Sequence, residues 1–171
     1  MIALVTGGAG CGKSYYAERL VRRLGTGRQL LYIATMDAYD DESRARVARH
    51  QARRAGFGFT TLECLKGLDA LGVPPGSAAI LECVPTLLSN EMFSPGGDPA
   101  SIPRGVSRLA EICGDLVVVT NDVFSDGCTY DPATENYKRR LADIHRAVAR
   151  MADRVVEVVY SIPVAVKGDL P

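Results

Sequence analysis

Short, uninterrupted apolar runs alternate along this chain with segments whose apolar residues return every third or fourth position. Met1 to Thr6 carries no charge and is rich in aliphatic residues, the pattern of a strand covered on both faces. From Lys13 the period changes: Ala17, Leu20, Val21 and Leu24 fall on one helical face, and Gly25 stands where that helix stops. Gln29 to Thr35 reads as a second buried strand. A weakly amphipathic, strongly basic helix follows, capped near Asp40 or Asp41, running through Ser43 to Arg54 and ending at Gly56. Phe57 to Glu63 is a short strand candidate, and Gly76 to Val84 holds a third buried run. Ser94 to Arg104, rich in Pro, Gly and Ser, predicts a long loop. Beyond it come a helix over Pro103 to Cys113, a buried strand over Asp115 to Thr120, and a helix from Pro132 to about Ala152. Arg154 to Tyr160 and Pro163 to Lys167 close the chain as strands.

No repeat, low-complexity tract or linker interrupts this order, so residues 1–171 read as a single domain. Strands alternating with helices predict an α/β fold, a mainly parallel sheet with helices on both faces. Its ligand is expected at the carboxyl ends of the strands.

The turn between the first strand and the first helix carries the chemistry. Gly7, Gly8, Ala9, Gly10, Cys11, Gly12, Lys13 and Ser14 match G-x-x-x-x-G-K-[ST] in full, in the strand-turn-helix context that a phosphate loop requires. Glycines let backbone N–H groups close around a polyphosphate at the positive end of the following helix. Lys13 supplies a mobile charge for the β- and γ-phosphates, and the Ser14 hydroxyl is placed to ligate Mg²⁺.

Composition narrows the rest. The 171 residues are 47% hydrophobic and 23% charged, ordinary for a globular protein. Twenty basic and twenty acidic residues leave no net charge, so nothing global points to nucleic acid or an anionic membrane. No apolar run reaches the length of a membrane span and the first strand lacks a basic flank, which predicts a cytoplasmic protein. Cys11, Cys64, Cys83, Cys113 and Cys128 form no C-x-x-C pair, so neither a disulfide framework nor a zinc site is expected.

Other candidates lie past strand ends. Glu82 closes the run Ala79-Ile80-Leu81, where phosphate-loop proteins carry an acid that holds Mg²⁺ or its waters; the alternative is a structural ion pair. Glu63 has weaker support. Asn121 and Asp122 follow a strand at the same topological place and either contact substrate or cap the next segment. His50 shares its helix with Arg46 and Arg54 one turn away and Arg49 and Arg53 alongside, cations that disfavour the imidazolium. A neutral, nucleophilic His50 among phosphate-clamping arginines and a solvated basic face carrying a chance histidine are equally good readings of that spacing. His145 sits at the edge of the apolar face Leu141, Ile144, Val148 and Ala152, the place of a packed histidine.

The segments T-G-G-A-G-C-G-K-S, Y-I-A-T-M, D-D-E-S-R-A-R-V-A-R-H-Q-A-R-R, L-E-C-V, V-T-N-D-V and V-V-Y-S-I-P-V-A-V-K resemble, in order and spacing, the bifunctional adenosylcobinamide kinase/adenosylcobinamide-phosphate guanylyltransferase family. The resemblance implies a RecA-like phosphate-loop sheet, a homotrimer and two reactions. One phosphorylates the aminopropanol hydroxyl of adenosylcobinamide with ATP or GTP; the other transfers GMP from GTP to that phosphate through a guanylylated histidine. His50 occupies the nucleophile position. Beside the phosphate loop, Ala34, Thr35, Met36, Gln51, Ala52, Arg53, Arg54, Glu63 and Glu82 fall where the family binds nucleotide. One departure stands out: the family's N-E-V-G-x-G is here Asn121-Asp122-Val123-Phe124-Ser125-Asp126-Gly127, followed by the insertion Cys128 to Thr134. The rival readings are a single-activity small-molecule kinase, which needs no histidine nucleophile, and a RecA-like nucleic-acid or assembly ATPase, which calls for a basic surface.

Overall fold

The computed structural model describes residues 1–36, 56–124 and 127–170. Seven strands form one sheet: β1 (Ile2–Thr6), β2 (Leu30–Ala34), β3 (Phe59–Glu63), β4 (Ala78–Glu82), β5 (Asp115–Val119), β6 (Arg154–Val159) and β7 (Ile162–Lys167). Their order is β3-β2-β4-β5-β1-β6-β7. Every pairing is parallel except that of β6 with β7. β1 lies inside the sheet, so the loop that leaves it opens onto the carboxyl edge, flanked by β5 and β6.

Among the described residues the helices are α1 (Lys13–Leu24), α2 (Val84–Phe93), α3 (Ser101–Ile112) and α4 (Pro132–Met151). Strand side chains alternate between faces, and two separate cores result. On one face Ala3, Val5, Tyr32, Ile80, Val117 and Val156 pack with Ala17, Leu20 and Val21 of α1. On the other, Leu4, Leu31, Ile33, Leu81, Leu116 and Val118 meet Leu87 of α2, Ile102, Val106 and Leu109 of α3, and Leu141, Ile144 and Val148 of α4. The mainly parallel sheet with helices on both faces is as the sequence predicted.

Besides shifts of one residue at several strand ends, some features differ. The run ending at Val84 stops as a strand at Glu82, and α2 takes over at Val84 with Pro85 in its first turn, a helix the periodicity did not announce. The predicted loop is shorter because α3 begins at Ser101 rather than Pro103. A 3-10 turn over Leu68–Ala70 intervenes before β4. Phe57 and Gly58 precede β3 rather than belong to it. The helix expected over Ser43 to Arg54 lies outside the described residues. Gly25 does end α1, but its φ of −91° is open to any residue. What requires glycine there is space, since a Cβ would stand 2.5 Å from Leu30 Cδ2 and 2.6 Å from Ala78 Cβ.

Candidate functional site

Register places the site. Glu63 pairs with Ala34, Ala34 with Glu82, Glu82 with Val119, and Val119 with Val5, a continuous row across the carboxyl edge of the sheet. The residues that follow these positions, Cys64, Thr35, Cys83, Thr120 and the phosphate loop, are therefore neighbours although far apart in sequence. Ala34, Thr35 and Met36 lie toward one end of this row, Glu82 at its middle, and Glu63 on the exposed edge strand. His50, Gln51, Ala52, Arg53 and Arg54 lie outside the described residues.

The loop itself runs from Gly7 to Gly12. Gly12 caps α1 at φ +94°, a left-handed conformation, and a Cβ there would stand 2.5 Å from Ser161 Oγ. Ser161 belongs to the hairpin turn between β6 and β7, where Tyr160 and Ser161 both have positive φ, as a two-residue type I′ turn requires. Its N–H donates to Cys11 O at 2.8 Å, so the closing hairpin braces the phosphate loop. Lys13 is 8% exposed, and its Nζ donates to Gly8 O at 3.0 Å, which holds the ammonium across the mouth of the loop. The first turn of α1 has no acidic residue and the last turn has Arg22 and Arg23. Both choices complement the helix dipole and leave its positive end unopposed for an anion.

Ser14 Oγ donates to Glu82 Oε1, and Tyr32 Oη donates to Glu82 Oε2 at 3.0 Å. Both carboxylate oxygens are thus held, and the carboxylate faces the start of α1. The backbone around it is fixed by Thr35, fully buried: Cys83 N donates to its Oγ1 at 2.8 Å, while its own N–H donates to Glu82 O at 3.2 Å. Asn90 Nδ2 of α2 donates to Thr35 O at 2.9 Å. Burial pushes the Cys83 thiol up, so it stays protonated and unreactive at neutral pH. Among the described residues no two cysteines are joined in a disulfide.

On the other side of the loop Asp122 N donates to Gly7 O at 3.2 Å, and Asp122 Oδ1 accepts from Phe124 N at 3.0 Å. The capping role foreseen for this residue is therefore present. Beside it a cavity of about 630 Å³ is lined by Gly8, Asp122, Val123, Tyr130, Thr134, Tyr137 and Lys138. Beneath it His145 is hydrogen-bonded through Nε2 to Thr120 Oγ1 and meets Phe124 edge-on at 5.6 Å. Burial lowers its pKa to about 4, against a smaller opposing effect of the Asp122 charge, so His145 is a neutral packed histidine. Phe124 thus serves as its cover.

The sequence brought Lys13, Ser14 and Glu82 forward and the structure joins them. It did not bring forward Tyr32, Asn90 or Ser161, which act on the site across the sheet. Tyr32 lies in an apolar run where only its hydroxyl betrays a polar task; Asn90 and Ser161 have no local signal.

Known proteins extend this picture. The sequence profile of the family described as "Cobinamide kinase / cobinamide phosphate guanyltransferase" matches residues 3–166. The chain is 33% identical to the bifunctional adenosylcobalamin biosynthesis protein CobU of Salmonella typhimurium, covering 98% of this chain and all of that protein. It is 32% identical to CobU of Escherichia coli over the same shares, and 30% identical to the protein CobP of Pseudomonas aeruginosa over 97% of each. Among solved structures it resembles the flagellar accessory protein FlaH of Methanocaldococcus jannaschii, with a TM-score of 0.52 and 11% identity over 98% of this chain and 78% of that one. A KaiC-like protein of Pyrococcus horikoshii gives a TM-score of 0.50 at 12% identity, over 91% and 69%. At such identities these two speak for the RecA-like phosphate-loop fold alone. The near-complete match in sequence speaks for more, and the chain belongs to the cobinamide kinase / cobinamide phosphate guanyltransferase family.

Proposed function

We propose that this chain is a single catalytic domain in which one phosphate loop serves both family reactions on a cobinamide substrate. It binds the triphosphate of ATP or GTP through Gly7 to Ser14 and directs different nucleophiles at different phosphorus atoms. The observation that carries this reading is the convergence of Lys13, Ser14 and Glu82 at the amino end of α1. Backbone N–H groups and the helix end hold the phosphates in line, and Lys13 follows the charge that develops on the leaving oxygen.

The Ser14 hydroxyl and Glu82 carboxylate form an all-oxygen pair, the donor chemistry suited to Mg²⁺, an ion held through one or two protein oxygens, waters and substrate phosphates. Mg²⁺ bound there would neutralise charge on the phosphate oxygens. Tyr32 and Ser14 keep the carboxylate aimed at that point.

In the kinase step the substrate hydroxyl attacks the γ-phosphorus. In the second step the His50 imidazole attacks the α-phosphorus of GTP and expels pyrophosphate; the substrate phosphate then takes GMP from the histidine. Splitting one hard displacement into two easier ones is the gain from the covalent intermediate. Arg53 and Arg54 clamp phosphate oxygens, and Ala34 to Met36, Gln51, Ala52 and Glu63 border the nucleotide. The basic setting of His50 in the sequence supports this assignment.

The test is labelling with α-³²P-GTP. Wild-type protein is expected to take up label in a bond labile to acid and stable to base, as a P–N bond is. His50→Ala should lose the label and the guanylyl transfer while keeping phosphorylation. Lys13→Ala should lose both. Full guanylyl transfer by His50→Ala would end the covalent mechanism.

A further inference from the structure

The phosphate loop has two ends with different surroundings. Its far end, where Ser14 opens the helix, meets the Glu82 carboxylate, whose two oxygens are engaged by Ser14 and Tyr32. Its near end, at Gly7 and Gly8, meets the segment that follows β5, and here the backbone of Asp122 is tied to Gly7 O. In a loop of this kind the first residues surround the terminal phosphate and the start of the helix surrounds the inner ones. A group that takes the terminal phosphoryl must therefore approach from the Gly8 side. That side holds the 630 Å³ cavity, large enough for a side arm of a bulky molecule, open to solvent, and lined by Gly8, one carboxylate, one ammonium, two phenols, the Thr134 hydroxyl and the aliphatic Val123.

We propose that this cavity seats the alcohol-bearing arm of the cobinamide substrate and that Asp122 is the general base of the kinase step. The inference rests on the reading of the loop as the triphosphate site. Among the described residues that line the cavity, Asp122 contributes the carboxylate, and its main chain is anchored to the loop by the bond to Gly7. The carboxylate's placement is set by Phe124 N–H on Oδ1. Lys138 also lines the cavity, its ammonium over the Tyr130 ring at 4.8 Å and 3.9 Å from Glu135 Oε1, and a further N–H of that ammonium can donate to an amide carbonyl of the arm. An arm carrying an amide and a hydroxyl finds a donor, an acceptor and an apolar floor.

The step balances. As the substrate oxygen forms its bond to the γ-phosphorus, the bond from that phosphorus to the β-bridging oxygen breaks and its electron pair leaves with the nucleoside diphosphate. The hydroxyl proton passes to Asp122 and then to water. Asp122 has no part in the attack of His50 on the α-phosphorus, which releases no substrate proton at this place.

The deciding variant is Asp122→Asn, which keeps both the backbone bond to Gly7 and an acceptor for Phe124 N–H. Kinase kcat is expected to fall about 10²-fold with the KM for nucleotide within about threefold of wild type, the usual scale of general-base loss. Guanylyl transfer onto supplied cobinamide phosphate should remain within about threefold. Tyr130→Ala, which opens the cavity wall, should raise the KM for cobinamide about fivefold and leave that for nucleotide alone. A kinase kcat unchanged in Asp122→Asn, or loss of both activities together, would overturn the assignment; an unchanged cobinamide KM in Tyr130→Ala would overturn the cavity. Wild type and Lys13→Ala run alongside separate the two levels. If wild type shows no phosphorylation, or Lys13→Ala retains it, the loop reading fails; if these behave as expected and Asp122→Asn stays active, only the present proposal fails.

Discussion

Glu82 shows how much a single carboxylate asks of its surroundings. At the end of a strand otherwise fully buried, it is tolerable because Ser14 and Tyr32 donate to both of its oxygens. Glu82→Gln keeps the shape and removes the charge, so the Mg²⁺ concentration for half-maximal activity should rise about tenfold while the fold survives; an unchanged Mg²⁺ titration would return Glu82 to a structural role. His145 makes a prediction about pH instead. Its folded pKa of about 4 lies below the ordinary 6.5, so the unfolded chain binds the extra proton between those values. Its contribution is fully present above pH 6.5 and is lost as pH falls toward 4. The loss amounts to about 3 kcal/mol at most. His145→Gln should flatten that part of the stability curve, and an equally steep acid limb in the variant would show that other groups carry it. At this scale the sequence was legible where function is local, as in Gly7 to Ser14. It was silent where a partner comes from another part of the fold, as the Tyr32 hydroxyl does to Glu82 and the Ser161 N–H to Cys11 O.

Among elements, the strands and α1, α3 and α4 were readable because their periods are clean. α2 was not. Its buried residues Val84, Leu87, Leu88 and Glu91 do keep to one helical stripe, but that stripe contains a carboxylate while the large apolar Phe93 is exposed, so hydrophobicity alone does not mark the face. Only 3% exposed, Glu91 accepts from Gly67 N and Ser101 Oγ through Oε1, at 2.7 and 2.6 Å, and from Asp98 N through Oε2 at 2.7 Å. One carboxylate thereby ties the start of the 3-10 turn, the loop before α3 and the first residue of α3 to α2. This is why the Pro- and Gly-rich stretch is ordered and shorter than composition suggested. Glu91→Ala leaves two main-chain donors without their acceptor, at a cost of about 3 kcal/mol. Urea unfolding should show a lower midpoint with an unchanged slope. A shift worth less than about 1 kcal/mol would mean that the loop is held by its other contacts.

At the scale of the molecule, the alternation of apolar runs and helical segments was enough for the α/β class. The branch point it could not supply was the turn of β7 against β6, since Tyr160-Ser161 lacks the glycine or asparagine that marks such hairpins. Among the described residues no helix is long and apolar enough to cross a membrane. The family resemblance implies a homotrimer, and light scattering at micromolar concentration should then give three times the 18.3 kDa of one chain; a monomer would count against it. The last prediction concerns the economy of one loop serving two reactions. If kinase and guanylyltransferase both need a triphosphate on Gly7 to Ser14, the two nucleotides exclude each other, because the backbone cradle and Lys13 can hold one polyphosphate at a time. A β,γ-imido analogue of ATP, which cannot give up its γ-phosphoryl group, should then inhibit labelling by α-³²P-GTP competitively. Its inhibition constant should agree, within about threefold, with its constant against ATP in the phosphorylation assay. Separate sites give a different pattern: the analogue blocks phosphorylation but leaves the apparent KM for GTP in the labelling reaction unmoved. That result would divide the two activities between two places on the chain, and Lys13→Ala would then be expected to spare the labelling of His50.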